Sequence, residues 1–177
     1  MPAPLIEHLE DYLGEMDAAW TKSPEGVQLP FTIARFGGVF ESSRAYTTLG
    51  LSRFHQELLL IAPESFGDGN IPKVLQDAAG VVLQRQTPLA RGEVVEVQPM
   101  FDCYPFTALY VALPVYFPEE FAEAVDDESS PVKIAWVVPI TAAEAAYVKQ
   151  HGWSAFEDLL TVQDPDLADF KRHAVVG

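Results

Sequence analysis

The chain has 177 residues, 49% hydrophobic and 21% charged, close to the roughly 45–50% and about 25% of soluble globular proteins. That balance excludes disorder over most of the length, because the apolar surface can offset the entropy of ordering. Eleven Lys and Arg against 26 Asp and Glu leave a net charge of −15, which excludes a broad basic face for DNA, RNA or anionic membranes and favours encounter with a cationic partner.

Over residues 4–20, Leu5, Leu9, Tyr12, Leu13, Met16 and Trp20 recur at spacings of three and four, predicting an amphipathic helix whose wet side carries Glu7, Glu10, Asp11, Glu15 and Asp17. Lys22-Ser23-Pro24-Glu25-Gly26 breaks it. The period then changes to two: Phe31, Ile33 and Arg35 point one way, and Thr32, Ala34 and Phe36 the other. Strands are predicted at Ala45–Leu51 and Glu57–Ala62, the second apolar on both faces and therefore central. Asn70 and Pro72 open a helix through Val74, Leu75, Ala78, Val82 and Leu83.

Further strands are expected at Glu93–Val97 and Ala108–Val115, separated by a loop containing Phe101, Tyr104 and Phe106. Residues 119–128 hold six acids (Glu119, Glu120, Glu123, Asp126, Asp127 and Glu128) and read as an exposed, mobile connection. Val132–Ile140 is the last strand. Thr141-Ala-Ala-Glu144 and Ser154-Ala-Phe-Glu157 both match the capping box, and Gly152 stands where the first of the two helices should stop. The pattern predicts a single α+β domain over residues 1–177.

The chemistry is mostly negative. There is no phosphate-binding glycine loop, no paired-Cys or H-E-x-x-H metal motif and no G-x-S-x-G elbow; neither a cofactor nor a metal is expected. The lone Cys103 precludes an intramolecular disulfide, and the N-terminus lacks the basic and apolar regions of a signal peptide, so a cytoplasmic location is expected. No run approaches the roughly 18 apolar residues of a membrane span. One enzymatic constellation can be assembled, with Ser52 as nucleophile, His55 as base and Glu57 as orienting acid; its alternative is a turn with a solvated His. Asp102-Cys103 carries no activating neighbour. Arg172, in Asp169-Phe-Lys-Arg172, is expected to tie the C-terminus to the domain through a carboxylate.

Several segments, taken in order, resemble the suppressor of fused (SUFU) family. They are Tyr46-Thr-Thr-Leu-Gly-Leu-Ser52, Glu57-Leu-Leu59, Pro88-Leu-Ala-Arg-Gly-Glu-Val94, Leu113-Pro-Val-Tyr-Phe117 and Val138-Pro-Ile-Thr141. Glu144, Gly152, Phe156, Leu160 and Asp169-x-x-Arg172 follow. The resemblance implies an α/β sandwich-like domain with a central mixed, largely antiparallel sheet flanked by helices, and a binding protein without catalytic residues. Animal members clamp a peptide of a Gli transcription factor between two domains. Glu93 falls where they carry a peptide-facing acid, whereas the neighbouring aromatic and second acidic positions are Val81 and Ala112 here. Gli binding is therefore not expected. Single-domain bacterial members are thought to be immunity proteins against polymorphic toxins.

The expectation is a cytoplasmic, non-enzymatic binding module of immunity type that occludes a cationic toxin and binds neither nucleic acid nor membrane. Its candidate partner-facing residues are Glu93, Glu119, Glu120, Asp126, Asp127, Phe101, Tyr104 and Phe106. The alternatives are a small hydrolase using Ser52, His55 and Glu57, or a scaffold subunit that self-associates through the aromatic loop.

Overall fold

The computed structural model describes residues 4–37, 40–66, 69–97 and 104–177. Leu5, Leu9 and Leu13 recur every four residues in α1 (Leu5–Leu13), where Leu9 and Leu13 are buried. This helix is shorter than its apolar spacing predicts. Gly14 ends it at φ 89°, with its N–H on the Glu10 carbonyl, and the next residues form β1 (Met16–Lys22). The discrepancy has a geometric cause. A spacing of four returns to the same side of a strand as well as of a helix, so Met16 and Trp20 satisfy both patterns. They are half-buried alternately with exposed neighbours in β1.

A turn brings the chain back into β2 (Gln28–Phe36), followed by β3 (Ser43–Leu49), β4 (Gln56–Pro63) and α2 (Ile71–Arg85). Next come β5 (Val94–Glu96), β6 (Phe106–Ala112), β7 (Glu123–Val125), β8 (Pro131–Thr141), α3 (Ala142–His151) and α4 (Trp153–Gln163). The eight strands form one sheet in the order β1-β2-β3-β4-β8-β6-β5, with β7 also on β8. β4 and β8 run parallel and every other pair is antiparallel, as the expected mixed sheet requires.

Alternation in the central strands builds two cores on opposite faces. Leu58 and Leu60 of β4 and Ala135 and Val137 of β8 join Val74, Leu75, Ala78 and Val82 of α2. Leu59 and Ile61, with Ile134, Trp136 and Val138, join Leu9 and Leu13 of α1. β2 divides the same way, Phe31 and Ile33 to the α2 side and Ala34 and Phe36 to the α1 side. Period-two apolar strands buried on both faces are what a central position demands.

The acidic segment expected to be a mobile connection is ordered. Residues 119–122 form a short 3-10 turn around the fully buried Phe121, and β7 pairs with β8. The sequence signal was its charge, but Phe121 and Ala124 are buried anchors within it, and exposed carboxylates do not prevent the intervening residues from packing. Asp126 tightens the following turn, its Oδ1 accepting from the N–H groups of Glu128 and Ser130, each at 2.9 Å.

The two predicted capping boxes part company. At α3, Thr141 Oγ1 accepts from Glu144 N at 3.1 Å and Glu144 Oε1 accepts from Thr141 N at 2.9 Å. At α4 the N-cap is Gly152, and no side chain caps it. Ser154 lies inside that helix, and Glu157 turns instead to Arg91 and Tyr110. Asn70 occupies the N-cap position of α2 without a side-chain cap bond.

Arg172 ties down the C-terminus as expected. Its guanidinium donates to both oxygens of Glu144, at 2.9 and 3.0 Å, and to the Pro139 carbonyl at 3.1 Å. Both side chains are almost wholly buried, 3% and 0% exposed. Burial would raise the Glu144 pKa, but the hydrogen bonds from Arg172 and from the N–H groups of Thr141 and Val175 outweigh it, and the carboxyl is held below its ordinary value.

Candidate functional site

Residues 4–7 and the turn after β7 come together because Pro4 bridges to Val125 and His8 Nε2 donates to the Phe121 carbonyl at 2.9 Å. His8 also stacks on the Phe121 ring, centroids 5.7 Å apart. This anchorage places Glu7 beside Asp126, Asp127 and Glu128 around a shallow groove of about 450 Å³. Its remaining lining is apolar or neutral, including Ile6, Leu49, Gly50 and Ser52, with no Lys, Arg or His. Among the described residues, Glu7, Glu119, Glu120, Asp127 and Glu128 form no ion pair. Their field is therefore uncompensated locally. The membership of Glu7 was missed from sequence, where it reads as one more residue on the wet side of α1.

Beneath the groove lies a second feature, the carboxylate of Glu57. It is fully buried and collects four donors: Thr48 Oγ1 at 2.5 Å, Gly50 N and Leu51 N at 2.8 Å, and Ser52 Oγ at 3.1 Å. Burial pushes its pKa up, against the lowering effect of these hydrogen bonds. Gly50 has φ 128°, and a Cβ there would stand 3.0 Å from Phe31 Cβ, so the turn around Glu57 requires glycine. The residue block 46–52 and Glu57 thus form one structural hub.

That hub does not assemble into a nucleophile–base–acid relay. Ser52 donates directly to Glu57, whereas exposed His55, at φ 59°, is hydrogen-bonded through Nδ1 to the Pro131 carbonyl at 3.1 Å. A triad needs the imidazole between nucleophile and acid, and here the acid takes the hydroxyl proton bond itself.

The other predicted residues are dispersed. Glu93 makes a bidentate pair with Arg85, 2.5 and 2.9 Å, and accepts from Ala90 N at 2.9 Å. The Arg85 guanidinium holds the Glu93 carboxyl below its usual range. Its charge is therefore engaged in closing the turn before β5. Phe106 is buried at the start of β6, and Tyr104 is half-buried against Phe66 and Phe170, with centroids 5.2 and 6.4 Å apart. These two aromatics pack on the α2-side core, Phe106 within it and Tyr104 against it. Phe101, Asp102 and Cys103 lie outside the described residues.

A third cluster escaped the sequence reading. Glu157 accepts from Arg91 at 2.7 Å and from the Tyr110 hydroxyl at 2.7 Å, while Arg91 stacks over the Trp153 ring at 4.7 Å. Burial, together with the bond to Glu157, drives the Tyr110 pKa strongly upward. No sequence motif links residues 91, 110 and 157. Among the described residues no group of His, Cys, Asp and Glu could hold a metal ion, and no helix is long and apolar enough to cross a membrane.

The architecture has close structural counterparts. A crystal structure of a SUFU homologue from Neisseria gonorrhoeae superimposes with a TM-score of 0.81 at 21% identity, covering 98% of this chain and 95% of that one. A chain of the Sufu–Fu complex gives 0.71 at 15% identity, over 99% and 93% of the two chains. Drosophila Suppressor of Fused gives 0.71 at 14%, and there the match spans 98% of this chain but 52% of the fly protein. No curated protein sequence matches significantly. The sequence model of the Suppressor of fused protein (SUFU) family matches residues 28–173; the chain belongs to the suppressor of fused family.

Proposed function

We propose that this chain is a protein-binding module that acts by occlusion and carries out no bond chemistry, and that its partner is a cationic protein, in the manner of an immunity protein covering a toxin. The observation that carries this reading is the groove where Glu7, Asp127 and Glu128, shaped by Asp126, stand without an ion-pair partner among the described residues. Glu119 and Glu120 add two further exposed carboxylates, on the short turn that precedes β7. A groove of one charge sign steers and orients an oppositely charged protein, raising the association rate more than the affinity. A chain of this fold occurs in the Sufu–Fu complex, which supports recognition of another protein. Glu93, Tyr104 and Phe106 fall outside this partner surface in the proposal, because their contacts serve the fold.

The test is co-expression with the product of the adjacent reading frame, followed by stopped-flow association across a salt series. The association rate is expected to fall steeply as salt rises, and D127N/E128Q to lower it at low salt while leaving the dissociation rate nearly unchanged. Asp126 is left intact because it closes the turn. A tight complex whose association rate ignores both salt and these substitutions would overturn the electrostatic reading.

A further inference from the structure

The residues following β6 present apolar surface outward. Leu113, Val115 and Tyr116 are 43%, 67% and 43% exposed, three of the seven large apolar side chains facing solvent among the described residues. Their backbone is nonetheless fixed. Val115 N donates to the Leu113 carbonyl at 2.8 Å and Phe117 N to the Pro114 carbonyl at 3.1 Å. The Tyr116 ring packs on Trp136, centroids 4.8 Å apart, and its hydroxyl accepts from Leu167 N at 2.8 Å. Phe117 stacks on the buried Phe121 at 4.2 Å. An apolar ridge held this way loses little conformational entropy when a partner covers it.

Between the ridge and the end of α4 lies a trough of about 290 Å³. Trp136, Leu160 and Leu167 contribute apolar walls, Asp164 supplies negative charge while Glu157 is already paired with Arg91, and among the described residues no Lys or Arg lines it. Asp164 forms no ion pair among the described residues. It caps the C-terminal end of α4, where unpaired carbonyls add negative potential. The negative potential of this trough would repel an acidic segment, and a purely polar one would leave the exposed apolar side chains uncovered.

Resting on the reading of a cationic protein partner, we infer that this trough is where binding energy is concentrated: it receives a bulky apolar side chain of the partner flanked by Lys or Arg. The acidic groove sets how fast the partner arrives, and the trough sets how long it stays, since apolar anchors seated in desolvated pockets dominate interface energetics.

The test uses the full chain and two synthetic peptides of equal length and equal positive charge, one with Leu and Trp between its Arg residues and one with Ser in their place. Methyl and amide NMR shifts are followed at physiological salt. The Leu/Trp peptide is expected to shift Leu113, Val115, Leu160 and Leu167 saturably and to bind at least about tenfold more tightly than the Ser peptide. L113S/V115S should lower its affinity by about tenfold; Tyr116 is kept for its bond to Leu167. Equal binding of both peptides, or an L113S/V115S protein that binds unchanged, would overturn the assignment. Shifts confined to Glu7, Asp127 and Glu128 would remove the trough and leave the cationic-partner reading standing. Binding of neither peptide at either surface would remove both.

Discussion

Arg172→Met offers the sharpest test of how the fold is closed. The substitution keeps an apolar stem of similar length and deletes both bonds to Glu144 and the bond to the Pro139 carbonyl. Glu144 would retain only the N–H groups of Thr141 and Val175, at 2.9 and 3.0 Å, in a site that is 0% exposed. Removing one partner of a buried ion pair costs about 3–5 kcal/mol, because the remaining charge is left uncompensated. For a chain of this size that is a fall in Tm of roughly 6–20 °C. The pH dependence gives an independent signature. In the parent protein the Glu144 pKa is lowered on folding, so its contribution is present above the unfolded carboxyl value of about 4.3 and is lost as pH falls through the folded value. In the variant the principal lowering influence is gone and burial raises the pKa instead. The variant should therefore lose stability as pH rises through its new folded value, and the gap between the proteins should narrow on acidification. Urea unfolding followed by tryptophan fluorescence at neutral and mildly acidic pH measures both effects. A gap under about 1 kcal/mol at neutral pH, well below the cost of breaking a buried pair, or one that does not narrow in acid, would refute the reasoning. If Arg172→Met does not fold, Glu144→Gln/Arg172→Met removes the stranded charge and should recover a folded protein.

The two helix starts should respond differently to truncation. Thr141→Ala should cost about 0.5–2 kcal/mol by deleting a cap, while Ser154→Ala should stay within about 0.5 kcal/mol; equal losses in urea unfolding would show that α4 is capped after all. Gly92→Ala forces a side chain at φ 87° into the Trp153 ring. It should destabilise by more than the roughly 1–3 kcal/mol of backbone strain, and Trp153→Ala should recover part of the loss. Glu57, whose pKa is raised by burial, contributes stability that is present at low pH and lost as pH rises through its folded value. Glu57→Gln should therefore gain relative to the parent as pH is raised; a constant difference across the titration would mean that Glu57 keeps one protonation state throughout.

The periodic strands were legible because burial on a sheet follows a local period: β4 and β8 carry their apolar runs in plain view, and Phe31, Ile33, Ala34 and Phe36 alternate as they pack. The Thr141–Glu144 box was legible for the same reason, since both partners lie within one helical turn. Ser154–Glu157 has the same spelling and fails, because Glu157 finds a stronger claim from Arg91, 66 residues away. The candidate site was half legible. The run of acids is visible in sequence, but its anchorage through Phe121 depends on His8, 113 residues distant.

By itself, then, the sequence determined the apolar alternation, one helix cap, the acidity and the family, all of which reside in composition or in neighbours a few positions apart. Only the tertiary structure decided that residues 16–22 are strand, that Glu57 and Glu144 are buried hubs, and that Glu7 joins Asp126–Glu128. The physical reason is that a carboxylate's role is set by which donors and charges surround it in space, and chain folding brings those from segments whose separation leaves no periodic trace.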